Sequence, residues 1–263
     1  MTTIVITNQK GGVGKTTITA LLAWWLTERE NARVALFDLD SQKNLTRTFA
    51  KHGCEVGAAR LFASNGIAAE KLPAANLCLF PGEAVLVDLE RASPEIIRNF
   101  CNNVALVQEQ FDYCVIDTPP ALGLRMTAAL IVADYVLCPV ELEEYSIEGV
   151  TAMIKTIVGV RQRHNPHLKF LGLLANRFNA HSVRQREGLK ALFVAYGQHV
   201  IPTKISTRSA IPEALSQAVP VWKLPKTSAR DAAAEVNKAF ELIRERMQLP
   251  AQPPTQVITH AAT

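Results

Sequence analysis

Long apolar runs are missing from this 263-residue chain. No uninterrupted stretch approaches the ~20 residues that a helix needs to span a bilayer, which excludes a transmembrane helix. Paired cysteines are missing as well. Cys54, Cys78, Cys101, Cys114 and Cys138 are odd in number, and no two stand at CxxC spacing. That pattern argues against a disulfide framework or a zinc site and suits a reducing cytoplasm. Cys114 and Cys138 lie inside apolar runs, where cysteine serves as a small hydrophobe. The first residues enter a strand pattern with no basic segment leading into an apolar one, so no signal peptide is expected. Acids are scarce in one region. Between Lys155 and Arg230 basic residues greatly outnumber them, whereas Glu141, Glu143, Glu144 and Glu148 crowd just before it.

What remains is an ordinary globular mixture, 48% hydrophobic and 20% charged, in a chain long enough for one sizeable α/β domain. The formal charge of +4 and pI of about 8.8 allow an anionic partner without requiring one. Strand-like runs fall at residues 3–7, 33–39, 76–80, 111–116, 135–140, 170–175 and 199–201. Helical spacing falls at 15–29, 94–108, 122–132, 147–164, 182–196 and 229–247. Near-continuous apolar strands separated by helices predict a doubly wound, mainly parallel α/β sheet with helices on both faces. Residues 1–249 read as one domain. The Pro-, Gln- and Thr-rich segment 250–263 reads as a disordered tail.

The most specific signal is Lys10-Gly11-Gly12-Val13-Gly14-Lys15-Thr16-Thr17 between the first strand and first helix. A strand, a glycine-rich turn and a helix is the setting that a phosphate-binding loop requires. The glycines let backbone N–H groups approach a triphosphate, and the helix N-terminus favours the anion. Lys15 is placed to neutralise β- and γ-phosphate charge, Thr16 to ligate Mg²⁺ and Thr17 to bond a phosphate oxygen. Two acidic strand ends accompany it. Phe37-Asp38-Leu39-Asp40-Ser41-Gln42 ends the second strand. Tyr113-Cys114-Val115-Ile116-Asp117-Thr118-Pro119-Pro120 reads as a Walker B strand, with Asp117 holding the Mg²⁺ shell through water.

The lysine ahead of the glycines, Lys10, makes the loop resemble the deviant Walker A family, KGGxGK[ST], which includes ParA partition ATPases, MinD and the nitrogenase iron protein. The second strand end is similar to the ParA motif DxDPQ, with Ser41 and Lys43 in place of Pro and Gly. Cys138-Pro139-Val140-Glu141 through Gly149 resembles PVQxExxxLEG, and Ile201-Pro202 through Ala214 resembles IPxxxxxxEA. The match covers roughly residues 3–245. The flanks of the cysteines do not match the iron protein, the C-terminus lacks the basic amphipathic helix of MinD, and one P-loop does not suit the usually duplicated arsenite pumps. ParA, in a small form without an N-terminal helix-turn-helix, is the relative that the resemblance singles out.

That resemblance implies an ATP-driven sandwich homodimer in which Lys10 reaches the partner's nucleotide. Asp40 would orient the attacking water, with Asp38 supporting it near Mg²⁺. Asn176 and Arg177, in Leu173-Leu174-Ala175-Asn176-Arg177-Phe178, would meet the adenine, and Pro202 would line its pocket. It implies slow intrinsic hydrolysis, a ParB-type partner that stimulates it, no membrane attachment, and non-specific DNA binding by a nucleoid-associated cytoplasmic dimer. Arg184, Arg186, Lys190, Lys204, Arg208, Lys223, Lys226 and Arg230 are the DNA candidates, with Arg161 and Arg163 in the same basic region. A protein cargo moved by the same engine, and a nucleotide-binding regulator that does not turn over, are the alternatives.

Overall fold

The computed structural model describes residues 1–64, 66–67, 72, 75–142 and 147–248. The expected tail 250–263, together with Glu143 and Glu144, lies outside the described residues. Seven strands form one sheet: β1 Thr2–Ile6, β2 Val34–Asp38, β3 Leu77–Phe80, β4 Tyr113–Asp117, β5 Tyr135–Glu141, β6 Lys169–Phe178 and β7 Val200–Ser206. Their order is β3-β2-β4-β1-β5-β6-β7, and every pairing is parallel. The helices are α1 Lys15–Arg29, α2 Asn44–Thr48, α3 Ile96–Val107, α4 Leu124–Val132, α5 Ile147–Arg163, α6 Val183–Tyr196, α7 Ala210–Ser216 and α8 Thr227–Gln248.

Alternation along each strand divides the core between the two faces of the sheet. Val5, Phe37, Ile116, Val136 and Cys138 pack with Phe100 and Val104 of α3, Met126 of α4 and Ile157 of α5. Ile4, Ile6, Leu36, Val115 and Leu137 pack on the other face with Leu22 and Trp25 of α1 and Val236 and Phe240 of α8. Strands covered on both sides need no polar alternation, which is why β2 and β4 read as unbroken apolar runs. This is the doubly wound α/β fold that the sequence predicts.

Two helices escape that sequence reading. With five and seven residues, α2 and α7 are too short to show a helical period. The last strand is longer than expected because it lies at the edge. Ile201 and Ile205 are buried, while Pro202 is exposed and Thr203 and Lys204 are half-buried, so the apolar run breaks although the strand continues to Ser206.

The topology fixes where chemistry can sit. The crossover leaving β1 runs two places one way to β2, and the crossover leaving β4 runs two places the other way to β5. The chain therefore diverges at the β1–β4 boundary, where parallel sheets open a crevice beyond the strands' carboxyl ends.

Candidate phosphate and metal site

The loop after β1 fills that crevice. Gly12 and Gly14 have φ of +79° and +88°, a left-handed backbone that glycine enters without Cβ strain. Gly14 has a second constraint, because a Cβ there would lie 2.2 Å from Asn176 Nδ2. Strain and clash add together, so Gly14→Ala is expected to lower Tm by several degrees and weaken nucleotide binding at least tenfold. A thermal melt and an ATP titration check this, and a wild-type value in both would contradict the tight packing seen here.

Side chains hold the loop open from below. Asn8 donates through Nδ2 to Pro139 O at 2.8 Å, and its Oδ1 accepts the Lys10 N–H at 3.0 Å. Lys15 Nζ donates to Lys10 O at 2.9 Å. Lys15 is 7% exposed at the start of α1, and burial lowers its ammonium pKa, an effect opposed by Asp117 and Asp40. A buried cation at a helix N-terminus beneath glycine amides is a receptor for a multiply charged anion.

The acids converge from the neighbouring strands. Asp38 and Asp117 stand opposite each other in the β2–β4 register, and Asp117 stands opposite Ile6 in β1. Thr16 donates its hydroxyl to Asp117 Oδ2 at 2.6 Å. Burial, reinforced by Asp38, raises the Asp117 pKa to about 8. Burial also raises that of Asp38. Among the described residues, no group of three His, Cys, Asp or Glu side chains forms a self-contained metal site. A threonine hydroxyl beside a buried carboxylate suits a hard cation completed by phosphate oxygens and water, whose charge would favour the ionised carboxylate that burial opposes.

Asp38 has a further function in the structure. Its Oδ2 accepts the Thr46 N–H at 2.9 Å and the Thr46 hydroxyl at 2.6 Å, and its Oδ1 accepts the Asp40 N–H at 3.2 Å. An unsatisfied carboxylate buried here would cost more than a large apolar side chain contributes by burial, ~1.5–3 kcal/mol, so these donors are required. They fold the turn that carries Asp40, whose own Oδ1 accepts the Gln42 N–H at 3.0 Å. Lys43, where the family's glycine would stand, holds φ +58°. Gly82 closes the turn from the far side, donating its N–H to Thr46 Oγ1 at 2.7 Å. Thr46 and Gly82 are absent from the sequence-based site. The Pro81-Gly82 pair directly after β3 is the only local signal for either.

At the rim of β6, Asn176 Nδ2 donates to Val13 O at 2.9 Å and Arg177 donates to Gly12 O at 3.0 Å. Asn176 is 2% exposed. The expected adenine contact therefore falls on a side chain committed to the loop itself. Pro202 lies four residues before the end of β7, about 13 Å along the strand at ~3.3 Å per residue. At that end Ser206 pairs with Phe178 of β6, and the Thr207 hydroxyl donates to Arg177 O at 2.8 Å.

The basic candidates separate into two groups. Arg208 pairs with Asp231 and Glu235, Lys223 with Glu28, and Lys226 with Glu213. Lys204 lies over the Phe178 ring at 4.2 Å, and Arg186 donates to Ala180 O at 2.7 Å. Arg184 and Lys190 on α6 and Arg230 on α8 are exposed. Their side chains make no ion pair among the described residues.

A family model described as an AAA domain matches residues 1–170. Protein IncC of Escherichia coli is 40% identical over 259 residues, covering 95% of this chain and 71% of IncC. The chromosome-partitioning ATPase Soj of Thermus thermophilus is 33% identical over 216 residues, covering 81% of this chain and 84% of Soj. Among solved structures, cobyrinic acid a,c-diamide synthase from Mycobacterium smegmatis, with a bound ATP analog and magnesium, superimposes with a TM-score of 0.76 at 25% identity. That match covers 96% of this chain and all of the other.

Proposed function

Because the chain belongs to the ParA-type partition ATPases, a branch of the deviant Walker A proteins, we propose that it is an ATP-switched, DNA-binding partition ATPase. The observation that carries this reading is the convergence of Lys15, Thr16 and Asp117 on the mouth of a Gly11–Gly14 loop, with Asp40 on the adjoining turn. The amides of Gly11 to Gly14 cradle the phosphates, with Val13 and Thr17 completing the wall. Lys15 neutralises charge on the β- and γ-phosphates. Thr16 and, through water, Asp117 would hold Mg²⁺, which would supply charge neutralisation at the phosphate oxygens. Asp40 orients the attacking water. Asp38 acts one step back, as the anchor of the Asp40 turn, because its oxygens are already engaged there. Lys10 reaches the nucleotide of a second copy, so ATP assembles a homodimer.

The dimer presents Arg184, Lys190 and Arg230 to duplex DNA without regard to sequence, and this keeps it on the nucleoid. A ParB-type partner completes the hydrolytic geometry and releases it. Among the described residues no helix is long and apolar enough to cross a membrane, and this scheme requires none.

Binding to a random duplex, followed by fluorescence anisotropy with a non-hydrolysable ATP analogue, ADP or no nucleotide, tests the scheme. Tight binding is expected with the ATP analogue alone and is lost in Lys10→Ala. Affinity is expected to fall as salt rises, by roughly 0.9 log units per log unit of salt for each phosphate contacted. Charge reversal at Arg184 and Lys190 is expected to weaken binding at least tenfold. Equal affinity with ADP, or a Lys10→Ala protein that binds normally, would defeat the switch and favour a nucleotide-binding protein with another task.

A further inference from the structure

Arg125 sits in the first turn of α4 and is 4% exposed, an unusual place for a guanidinium. Its Nε donates to Glu90 Oε1 at 2.7 Å, and its Nη1 donates to Leu39 O at 2.9 Å. The other Glu90 oxygen accepts the Leu124 N–H at 2.6 Å. Glu90 lies on the 3-10 segment Ala84–Arg91. Gly123 leaves it room, since a Cβ there would lie 1.9 Å from Glu90 Oε2.

The position of Leu39 gives this contact its meaning. Its carbonyl belongs to the peptide that joins Leu39 to Asp40. The N–H of that same peptide is the Asp40 N–H that donates to Asp38 Oδ1. The Leu39 N–H donates to Asp117 O at 3.0 Å. One peptide plane is thus held at both poles, by Arg125 at the oxygen and by Asp38 at the nitrogen, and it carries the Cα of Asp40. The fork of a guanidinium meets a carboxylate and a carbonyl at once, which the single ammonium of lysine does less well.

We propose that Arg125, braced by Glu90, is a positioning residue that sets the orientation of Asp40 by gripping the Leu39–Asp40 peptide. This rests on the ATPase reading given above. In this role Arg125 acts through the backbone of the turn, by its contact with Leu39 O.

The test uses the full chain with Mg·ATP. Arg125→Lys keeps the charge opposite Glu90 but loses the planar fork that meets both acceptors at once. It is expected to fold normally by circular dichroism, to bind a fluorescent ATP analogue within about threefold of wild type, and to lose at least tenfold in kcat. Amide exchange is expected to accelerate at Asp40 to Lys43 and to stay unchanged in the Gly11–Gly14 loop. Glu90→Gln retains an acceptor for the Leu124 N–H and removes the carboxylate that braces Arg125. It is expected to give the same kcat-selective loss in smaller measure, and it answers the question if the lysine variant is unstable. A well-folded Arg125→Lys protein with wild-type kcat, or parallel losses in ATP affinity and kcat, would overturn the proposal. Phosphate release missing from wild type under every condition, with DNA and a ParB-type partner added, would overturn the ATPase reading first.

Discussion

Replacing Lys15 with alanine is expected to weaken ATP binding at least 100-fold, close to 3 kcal/mol at ~1.4 kcal/mol per tenfold, and to abolish measurable turnover. Lys15 is the buried cation at the mouth of the loop, with Asp38, Asp40 and Asp117 gathered near it. Without it, a triphosphate would face Asp117 and Asp40 without the buried ammonium that offsets them. The loop itself should survive. Asn8, Asn176 and Arg177 hold it independently of the lysine, so the fold should melt within a few degrees of wild type. Isothermal titration with ATP and a thermal melt of the same sample separate the two effects. Retention of ATP affinity within a few-fold of wild type would remove the phosphate-binding role from this loop.

The second large effect concerns Asp117 and has a sign that depends on pH. Its pKa is raised from 3.8 to about 8, chiefly by burial and then by Asp38. A carboxyl raised in this way holds its proton more tightly in the folded than in the unfolded chain. The nucleotide-free protein should therefore lose stability from this group as pH rises from about 4 to about 8, and no further above that. The span corresponds to at most about 6 kcal/mol. Asp117→Asn removes the titration and keeps an acceptor for the Thr16 hydroxyl. The variant is expected to melt several degrees above wild type at pH 8 without nucleotide, and to match it more closely near pH 5. Its kcat is expected to fall at least 100-fold, because asparagine supplies no negative charge to the metal shell. Denaturant curves across that range check the stability claim. Parallel pH profiles for the two proteins would show that Asp117 is ionised in the apo fold.

Legibility from sequence varied across the site for physical reasons. The loop was fully readable because its chemistry is local: glycines, lysine and threonine act within eight consecutive residues between a strand and a helix. Asp38, Asp40 and Asp117 were readable as strand ends, since parallel strands deliver their carboxyl ends to one edge. The proposed division of labour between Asp38 and Asp40 was not readable, because it rests on Thr46 and Gly82 folding back onto β2. Arg125 and Glu90 carry no motif. Their pairing spans 35 positions and exists only once α4 packs against the Ala84–Arg91 segment. The basic candidates looked alike in sequence. Folding spent Arg208, Lys223 and Lys226 on nearby acids and left Arg184, Lys190 and Arg230 exposed without such pairs.

The order of residues alone settled the layered α/β architecture, the phosphate loop and the family, because periodicity and a contiguous motif are properties of neighbours along the chain. Tertiary structure decided which groups engage the Asp38 carboxylate, which backbone carbonyls Asn176 and Arg177 grip, and which cations pair with acids. Those are questions of which distant groups meet in a medium where an unpaired charge is costly, and only the folded sheet brings them together.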